Sequence, residues 1–203
     1  MSSTAWEARV TSVANELTAL VLRRPATLGS SRLVCVDGRA GAGKSTLGEA
    51  IRVAASRHGS VRLLHMDDMY EGWDGLADVS DRIVRELVDP LRRDETGLYQ
   101  RYDWLLERFA EWNLVEPVDV LVLEGVGSGA RSYAESVTVL VWVEAPRELR
   151  ITRGLERDGD AVLPRWLAWM HDEDALFRRE DTRARADVIV DGSGTAPEPL
   201  AFA

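Results

Sequence analysis

The chain has 203 residues, of which 45% are hydrophobic, and a formal net charge of −9. This length and composition suffice to bury one sizeable core, so we expect a single domain covering residues 1–203. The acidic balance disfavours nucleic acid as a partner, because nucleic-acid phosphates are held by basic surfaces. No apolar stretch approaches the length that crosses a membrane, so we expect no membrane partner.

The N-terminal segment and the cysteine content predict the cellular compartment. The first twenty residues carry Glu7 and Glu16 and lack a basic start followed by an apolar core, so they do not resemble a secretory signal. Cys35 is the only cysteine and lies in an apolar run, where a buried thiol is expected. We therefore expect a cytoplasmic protein. The sequence is compatible with a homodimer and does not determine the oligomeric state.

The first predicted element is an amphipathic helix at 5–22, within an N-terminal extension at 1–30 that precedes the first strand. Its apolar positions recur at helical spacing and are Trp6, Val10, Val13, Leu17 and Leu20. We expect this helix to pack on the sheet that the following segments form.

A glycine-rich turn that contains one lysine follows the first apolar stretch. Four of its residues fit the pattern GxxxxGK[ST], the P-loop: Gly38, Gly43, Lys44 and Ser45. In such loops backbone N–H groups surround nucleotide phosphates, the lysine contacts the β and γ oxygens, and the hydroxyl binds Mg²⁺. Lys44 is the only lysine among 25 lysines and arginines. A lone lysine fits a place that needs a compact point charge instead of a planar guanidinium.

The segments beside this turn have the character that a P-loop requires. Residues 33–37 are a short apolar run, typical of a strand that is buried on both faces, and 46–57 have helical spacing. The start of that helix would add unpaired N–H groups and a positive dipole end to a phosphate site. We therefore expect ATP and Mg²⁺ as cofactors. The residues predicted to bind them are Gly38, Arg39, Ala40, Gly41, Ala42, Gly43, Lys44, Ser45 and Thr46.

A second strand is predicted at 61–66, followed by an acidic loop at 67–78. Asp67 would lie beyond the carboxyl edge of the sheet, where open α/β sheets bind their ligands. There it would accept the proton of an attacking hydroxyl or bind Mg²⁺. The alternative is a loop acid that caps a turn, which is the better interpretation for Asp68. A helix follows, with apolar positions at Val79, Ile83, Leu87 and Leu91.

The third predicted strand, 118–123, ends in Glu124. An acid that ends an apolar strand after a P-loop occupies the Walker B position, where Glu124 would hold the metal or its water. Further apolar runs at 137–143 and 188–190 predict two more strands, and alternation of strands with helices is typical of a parallel sheet. We predict an α/β fold of the P-loop NTPase type, with a five-stranded parallel sheet sandwiched by helices.

Residues 146–180 are predicted to form an arginine-bearing lid and the helix after it. Arg150, Arg153 and Arg157 share one helical face at i, i+3 and i+7. Arginines on a lid would bind phosphates and offset the charge that develops during phosphoryl transfer. The alternative is a solvated helix face.

These residues resemble the uridine kinase and phosphoribulokinase group of P-loop kinases, which includes nicotinamide riboside kinase. The resemblance covers most of the chain from 32 to 192. In that family a DSFY- or DDFF-type motif follows the second strand, and its first aspartate is the catalytic base. The motif falls on DDMY here, which implies Asp67 as the base and Tyr70 as a substrate-side aromatic.

Three further segments extend the resemblance. LEG at 123–125 is similar to the family's FEG, which implies a metal-linked Glu124. RGLERD at 153–158 is similar to the lid motif RRxxRD, which implies catalytic roles for Arg153 and Arg157. YQRYDW at 99–104 is similar to a YDF stretch that lines the nucleoside pocket, which implies substrate contacts from Tyr102 and Asp103.

The chain also departs from the family. Glu107 stands where the family has a histidine, and the acid that holds ribose hydroxyls has two candidates here, Asp74 and Asp78. Uridine itself is therefore not predicted as the substrate.

The resemblance implies an ATP- and Mg²⁺-dependent kinase that transfers the γ-phosphate to a hydroxyl of a small metabolite, with nucleosides favoured. Two alternatives stay open. One is an ATP-binding regulatory or hydrolytic module without a small-molecule acceptor. The other is a nucleoside monophosphate kinase, which ranks lower because the segment 67–81 is acidic and a phosphate acceptor needs basic residues.

Overall fold

The computed structural model describes residues 3–195 and 200–202, and its centre is a six-stranded sheet. The strands of this sheet are β1 (Arg32–Gly38), β2 (Val61–His65), β5 (Val120–Glu124), β6 (Val137–Glu144), β7 (Val188–Asp191) and β8 (Leu200–Phe202). Their spatial order is β2-β5-β1-β6-β7-β8. The first five are parallel to their neighbours, and β8 pairs antiparallel with β7. The five predicted parallel strands are thus confirmed, and β8 is an antiparallel edge strand that the sequence did not predict.

The inner parallel strands are largely apolar because helices cover both faces of the sheet. In β1 the alternation of side chains sends Val34 and Val36 to one face and Leu33 and Cys35 to the other. Cys35 is buried, as predicted, and burial raises the pKa of its thiol.

The first face of the sheet is covered by α1 (Ser3–Arg23) and α2 (Lys44–Ala55). Val13 and Leu17 of α1 pack in one apolar cluster with Leu47 and Ile51 of α2 and with the valines of the strands. The predicted N-terminal helix is therefore confirmed, and it packs beside the helix that follows the P-loop.

The other face is covered by α3 (Val79–Ile83), a π-helical turn (Val84–Val88), α4 (Asp89–Arg92) and α6 (Leu163–Glu180). Between β6 and α6 lies α5 (Arg147–Asp158), and α7 (Thr182–Arg185) precedes β7. The four apolar positions predicted for the helix after the acidic loop are all buried: Val79, Ile83, Leu87 and Leu91. Pro90 cannot donate to the carbonyl of residue 86 as a regular α-helix requires, which accounts for the π-helical turn just before it.

A separate two-stranded antiparallel sheet joins β3 (Gly97–Asp103) to β4 (Arg108–Val115). The sequence predicted no strands here. The hairpin is exposed on one side, where Trp112 and Leu114 face solvent, so its residues lack the continuous apolar run that marks the central strands.

In the part of the chain that the structure describes, no helix combines the length and the apolarity needed to cross a bilayer.

Candidate active site

The P-loop connects the end of β1 to the start of α2, as predicted. Gly38 has a φ of 141°, and a Cβ there would lie 2.1 Å from the carbonyl oxygen of Val143, so only glycine fits this turn. The Lys44 side chain is buried, and its ammonium donates a hydrogen bond of 3.0 Å to the Arg39 carbonyl. The only lysine charge in the chain is therefore held within the loop.

The first turn of α2 completes this half of the site. Its leading backbone N–H groups have no partners within the helix, and the positive end of the helix dipole lies there. Ser45 and Thr46 are exposed at this end. A phosphate with a bound Mg²⁺ fits such a helix N-terminus.

Two carboxylates lie at the same edge of the sheet. β2 and β5 pair in register, with His65 opposite Glu124, and Asp67 follows two residues later in the 3₁₀ turn Met66–Asp68. Glu124 is buried and makes a hydrogen bond of 2.6 Å with Nδ1 of His65. This hydrogen bond raises the pKa of His65 despite the opposing effect of burial.

Electrostatic interactions connect Asp67 to the other charged groups of the site. The carboxylate of Asp67 is accessible, but the surrounding protein and the repulsion from Glu124 raise its pKa, while Lys44 and Arg157 oppose the rise. The structure therefore brings two predicted carboxylates and two predicted cations within electrostatic range of one another. They come from four different elements of the sequence.

The donor set near Asp67 suits Mg²⁺. Among residues 3–195 and 200–202, no three histidine, cysteine or acidic side chains cluster closely enough to hold a metal by themselves. Mg²⁺ usually takes one or two carboxylates and completes its shell with phosphate oxygens and water. The buried Glu124 carboxylate and the exposed Ser45 hydroxyl are oxygen donors of that kind, and the Asp67 carboxylate interacts with the charge of Glu124.

One buried acid beside the P-loop was missed by the sequence reasoning. Asp37, fully buried near the end of β1, accepts hydrogen bonds from the backbone N–H groups of Gly38 (2.7 Å), Gly127 (2.9 Å) and Gly129 (2.9 Å). It thereby ties the P-loop strand to the loop after Glu124. Burial raises its pKa from the usual 3.8 to about 6, against the effect of these hydrogen bonds. An acid inside an otherwise apolar strand was the available signal.

The three predicted lid arginines lie on α5 but occupy three different environments. Arg157 is exposed, pairs with Asp158 at 2.7 Å, and interacts with the charges of Asp67 and Glu124. Arg153 donates to the carbonyl of Gly192 at 3.0 Å. Arg150 is buried in an ion pair with Glu173, so the prediction of one shared phosphate-facing surface is corrected for this residue.

The predicted substrate-side residues lie differently from expectation. Tyr70 is buried, its hydroxyl donates to the Val126 carbonyl at 2.6 Å, and its ring meets that of Trp169 edge-on. Asp103 accepts the backbone N–H groups of the two residues at positions 105 and 106, both at 3.0 Å, and so caps the hairpin turn. In this structure Tyr70 is a core residue and Asp103 a turn residue, because neighbouring backbone groups already satisfy their polar atoms.

Aromatic residues of the hairpin and the acidic loop lie beside Asp67. The Trp104 indole N–H donates to the backbone carbonyl of Asp67 at 2.9 Å. The Trp104 ring also contacts the rings of Trp73 (5.6 Å between centroids) and Tyr102 (5.4 Å). Tyr102 is itself mostly buried, so Trp73 and Trp104 present the accessible aromatic surface. Sequence reasoning gave neither tryptophan a role at the site.

Comparison with known proteins gives structural matches only. No family model matches the chain, and no curated protein matches it. A possible uridine kinase from Bacillus stearothermophilus is 20% identical with a TM-score of 0.64, covering 87% of this chain and 96% of that one. A proposed fructose transport system kinase from Silicibacter sp. TM1040 is 22% identical with a TM-score of 0.60, covering 80% and 94%.

A third solved structure matches over nearly the whole chain. The D-glycerate 3-kinase from Cryptococcus neoformans var. grubii is 12% identical with a TM-score of 0.58, covering 97% of this chain and 99% of that one. The three proteins act, by their names, on different acceptors. At these identities the likeness concerns the fold: the chain has the α/β fold of P-loop kinases, with a mostly parallel central sheet flanked by helices and an N-terminal helix.

Proposed function

We propose that the protein is a kinase that transfers the γ-phosphate of ATP to a hydroxyl group of a small metabolite. One observation carries the proposal: an accessible aspartate, Asp67, lies within electrostatic range of the P-loop lysine Lys44, the strand-end acid Glu124 and the α5 arginine Arg157. A phosphoryl-transfer site needs a base, a metal-linked acid and cations around the transferred group.

The residues divide the work as follows. Lys44 and the N–H groups of the loop and of the α2 N-terminus hold the phosphates. Asp67 accepts the proton of the acceptor hydroxyl as its oxygen bonds to the γ-phosphorus and the bond to the β–γ bridging oxygen breaks, which releases ADP. The raised pKa of Asp67 makes it a stronger base than an ordinary aspartate. Arg157 offsets the charge of the transferring group.

Mg²⁺, when bound, neutralises phosphate charge and orients the γ-phosphate. Ser45 and Glu124 are the residues that would hold it, and Asp67 is a further candidate ligand. Arg153 takes a supporting role, since its guanidinium donates to the carbonyl of Gly41 within the P-loop and to that of Gly192, just after β7.

The surroundings of Asp67 favour an uncharged acceptor. In the described residues, Asp68, Glu71, Asp74 and Asp78 form no ion pair, so the loop beside the site keeps its negative charge. That charge would repel a phosphate-bearing acceptor. The accessible aromatic surface of Trp73 and Trp104 would stack on a planar base. We therefore favour a nucleoside as the acceptor over a nucleoside monophosphate.

The test is ADP release from ATP and Mg²⁺ in the presence of single nucleosides, sugars and vitamin-like alcohols. We expect one compound to stimulate release, and the Asp67→Asn variant to lose about 10²- to 10⁴-fold of that rate, the range typical of a general base. Calorimetric ATP titration should show unchanged binding. Asp68→Asn is the matched control, because it removes the neighbouring acid of the same turn.

Two outcomes would contradict the proposal. Asp67→Asn with undiminished transfer would remove the base. ATP turnover that is the same with every compound, and equally fast in this variant, would favour a hydrolytic module instead.

A further inference from the structure

The backbone of the P-loop is held by an ion pair beneath it. Glu173, in the middle of α6, is 0% exposed. One of its carboxylate oxygens accepts the backbone N–H of Ala40 at 2.8 Å, and the other pairs with Nη1 of Arg150 at 3.0 Å. Arg150, on α5, is only 4% exposed and also donates to the Ala40 carbonyl at 3.2 Å.

Both polar backbone groups of one P-loop residue are thus bound by side chains from two other helices. The loop has little means of fixing itself, since its side chains on either side of Ala40 are glycines, alanines and Arg39. Gly38, Gly41 and Gly43 all have positive φ angles. Because glycine adopts many other backbone conformations just as readily, these residues do not by themselves hold the loop in this shape. The neighbouring Arg39 is also tied to α6, through an ion pair with Asp174.

We propose that Glu173 and Arg150 are positioning residues that hold the P-loop in the shape that binds nucleotide phosphates. The inference rests on the proposed function only in so far as the loop must bind ATP or ADP. Because Glu173 accepts the Ala40 N–H, that group faces α6 and is not free to bind a phosphate. Because Arg150 lies on α5, the same contact fixes the loop relative to the helix that carries Arg157.

If the Glu173–Arg150 ion pair only filled space in the core, apolar side chains would serve as well. A buried ion pair is often no more stable than apolar side chains of the same volume, but removal of one partner leaves the other charge uncompensated. Retention of such a pair against a glycine-rich loop is consistent with a need for defined geometry. Misplacement of a binding loop by about 1 Å lowers activity by about 100-fold.

The test is calorimetric ADP titration of wild type, Glu173→Gln and Glu173→Ala, together with KM and kcat for ATP once an acceptor is known. We expect Glu173→Ala to weaken ADP binding by about tenfold to 100-fold and to raise the KM for ATP by a similar factor. The KM for the acceptor should not change. Glu173→Gln keeps an acceptor for the Ala40 N–H, so it should recover most of the ADP affinity.

Glu180 provides a matched control on the same helix. It is also buried, accepts a backbone N–H, that of Arg131, at 2.8 Å, and pairs with an arginine, Arg179, at 3.0 Å, but it does not contact the P-loop. Glu180→Ala should lower the thermal midpoint much as Glu173→Ala does and leave ADP affinity unchanged.

Three results would overturn the proposal. The Glu173→Ala variant could bind ADP as tightly as wild type, the Glu180→Ala variant could lose as much ADP affinity as Glu173→Ala, or the wild-type protein could fail to bind ADP. If Glu173→Ala does not fold, Arg150→Lys carries the comparison, because it keeps the charge but loses the guanidinium nitrogen that donates to both Glu173 and the Ala40 carbonyl. This variant should weaken ADP binding, and unchanged ADP affinity in it would overturn the proposal. If the protein binds ADP but phosphorylates no acceptor, the proposed kinase function fails. The role of Glu173 and Arg150 is then still tested by the ADP titration.

Discussion

The two halves of the candidate site, the P-loop half and the acceptor half, use different kinds of chemical groups. The P-loop half consists of backbone N–H groups, glycine turns and buried charge pairs, with Lys44, Asp37 and Glu173 all buried. The acceptor half consists of partly exposed aromatic rings and carboxylates without ion pairs, among them Asp67 and Trp104. Under the proposed function, this difference implies that nucleotide binding would depend on fixed backbone geometry, whereas acceptor recognition would depend on side chains that can be exchanged without disturbing the core.

Among the changes that test this comparison, the largest effect is expected for Arg157, which interacts with Asp67 and Glu124. Arg157→Ala should lower kcat by about 10²- to 10³-fold, because a cation directed at developing charge contributes mainly in the transition state. The KM for ATP should change little. Steady-state kinetics with the acceptor that the ADP-release test identifies would measure both. Arg147→Ala on the same helix is exposed and serves as the control. A loss confined to the KM for ATP would place Arg157 in the P-loop half instead.

The burial of the Asp37 carboxyl group predicts a pH dependence of the free energy of unfolding. The pKa of Asp37 is about 6 in the folded protein and near 3.8 when unfolded, so the folded state binds its proton more tightly. This contribution to stability is fully present below pH 3.8 and is lost as the pH rises through about 6. Its size is about 3 kcal/mol, since each pKa unit corresponds to about 1.4 kcal/mol.

Denaturant unfolding at several pH values would measure this contribution. Between pH 4 and 7, Asp37→Asn should lose about 2–3 kcal/mol less stability than wild type. Asp172→Asn, an exposed acid on α6, should follow the wild-type curve. If the Asp37→Asn curve is parallel to that of wild type, Asp37 does not titrate in this range and its burial is not the source of the slope.

The smallest expected effect concerns Tyr70. Tyr70→Phe removes the donor to the buried Val126 carbonyl and should lower the free energy of unfolding by about 1–2 kcal/mol. The KM for the acceptor should stay unchanged, because the tyrosine lies in the core. An increased acceptor KM with unchanged stability would return Tyr70 to the substrate side of the site, as the DDMY motif implied.

Sequence patterns predicted the P-loop half almost completely and the acceptor half only in part. The five parallel strands and the P-loop are marked by continuous apolar runs and by glycines with defined spacing, which local sequence alone determines. Asp67 and Glu124 could be found because each follows directly on such a strand. Glu173 could not, because its partner Ala40 lies 133 residues away along the chain.

The acceptor half depends on contacts that no local pattern reports. Tyr70 and Asp103 have the residue types of a substrate pocket, but the fold satisfies their polar atoms with backbone partners. Trp104 comes next to the candidate base only because the hairpin β3–β4 returns over the 3₁₀ turn that carries Asp67. Exposed hairpins lack the continuous apolar run that identifies buried strands, so the sequence pattern did not predict this hairpin.

The single lysine also has a practical use in chemical labelling. An amine-selective reagent finds only one lysine side chain in the protein, and that amine lies inside the P-loop, 7% exposed and bonded to the Arg39 carbonyl. A further decrease in Lys44 modification when a nucleotide is added would therefore report binding of that nucleotide at the loop. Lys44 could be labelled in the presence of each of a series of nucleotides, and the extent of labelling read by peptide mass spectrometry. This would rank the affinities of the nucleotides without an acceptor, an activity assay or an engineered probe.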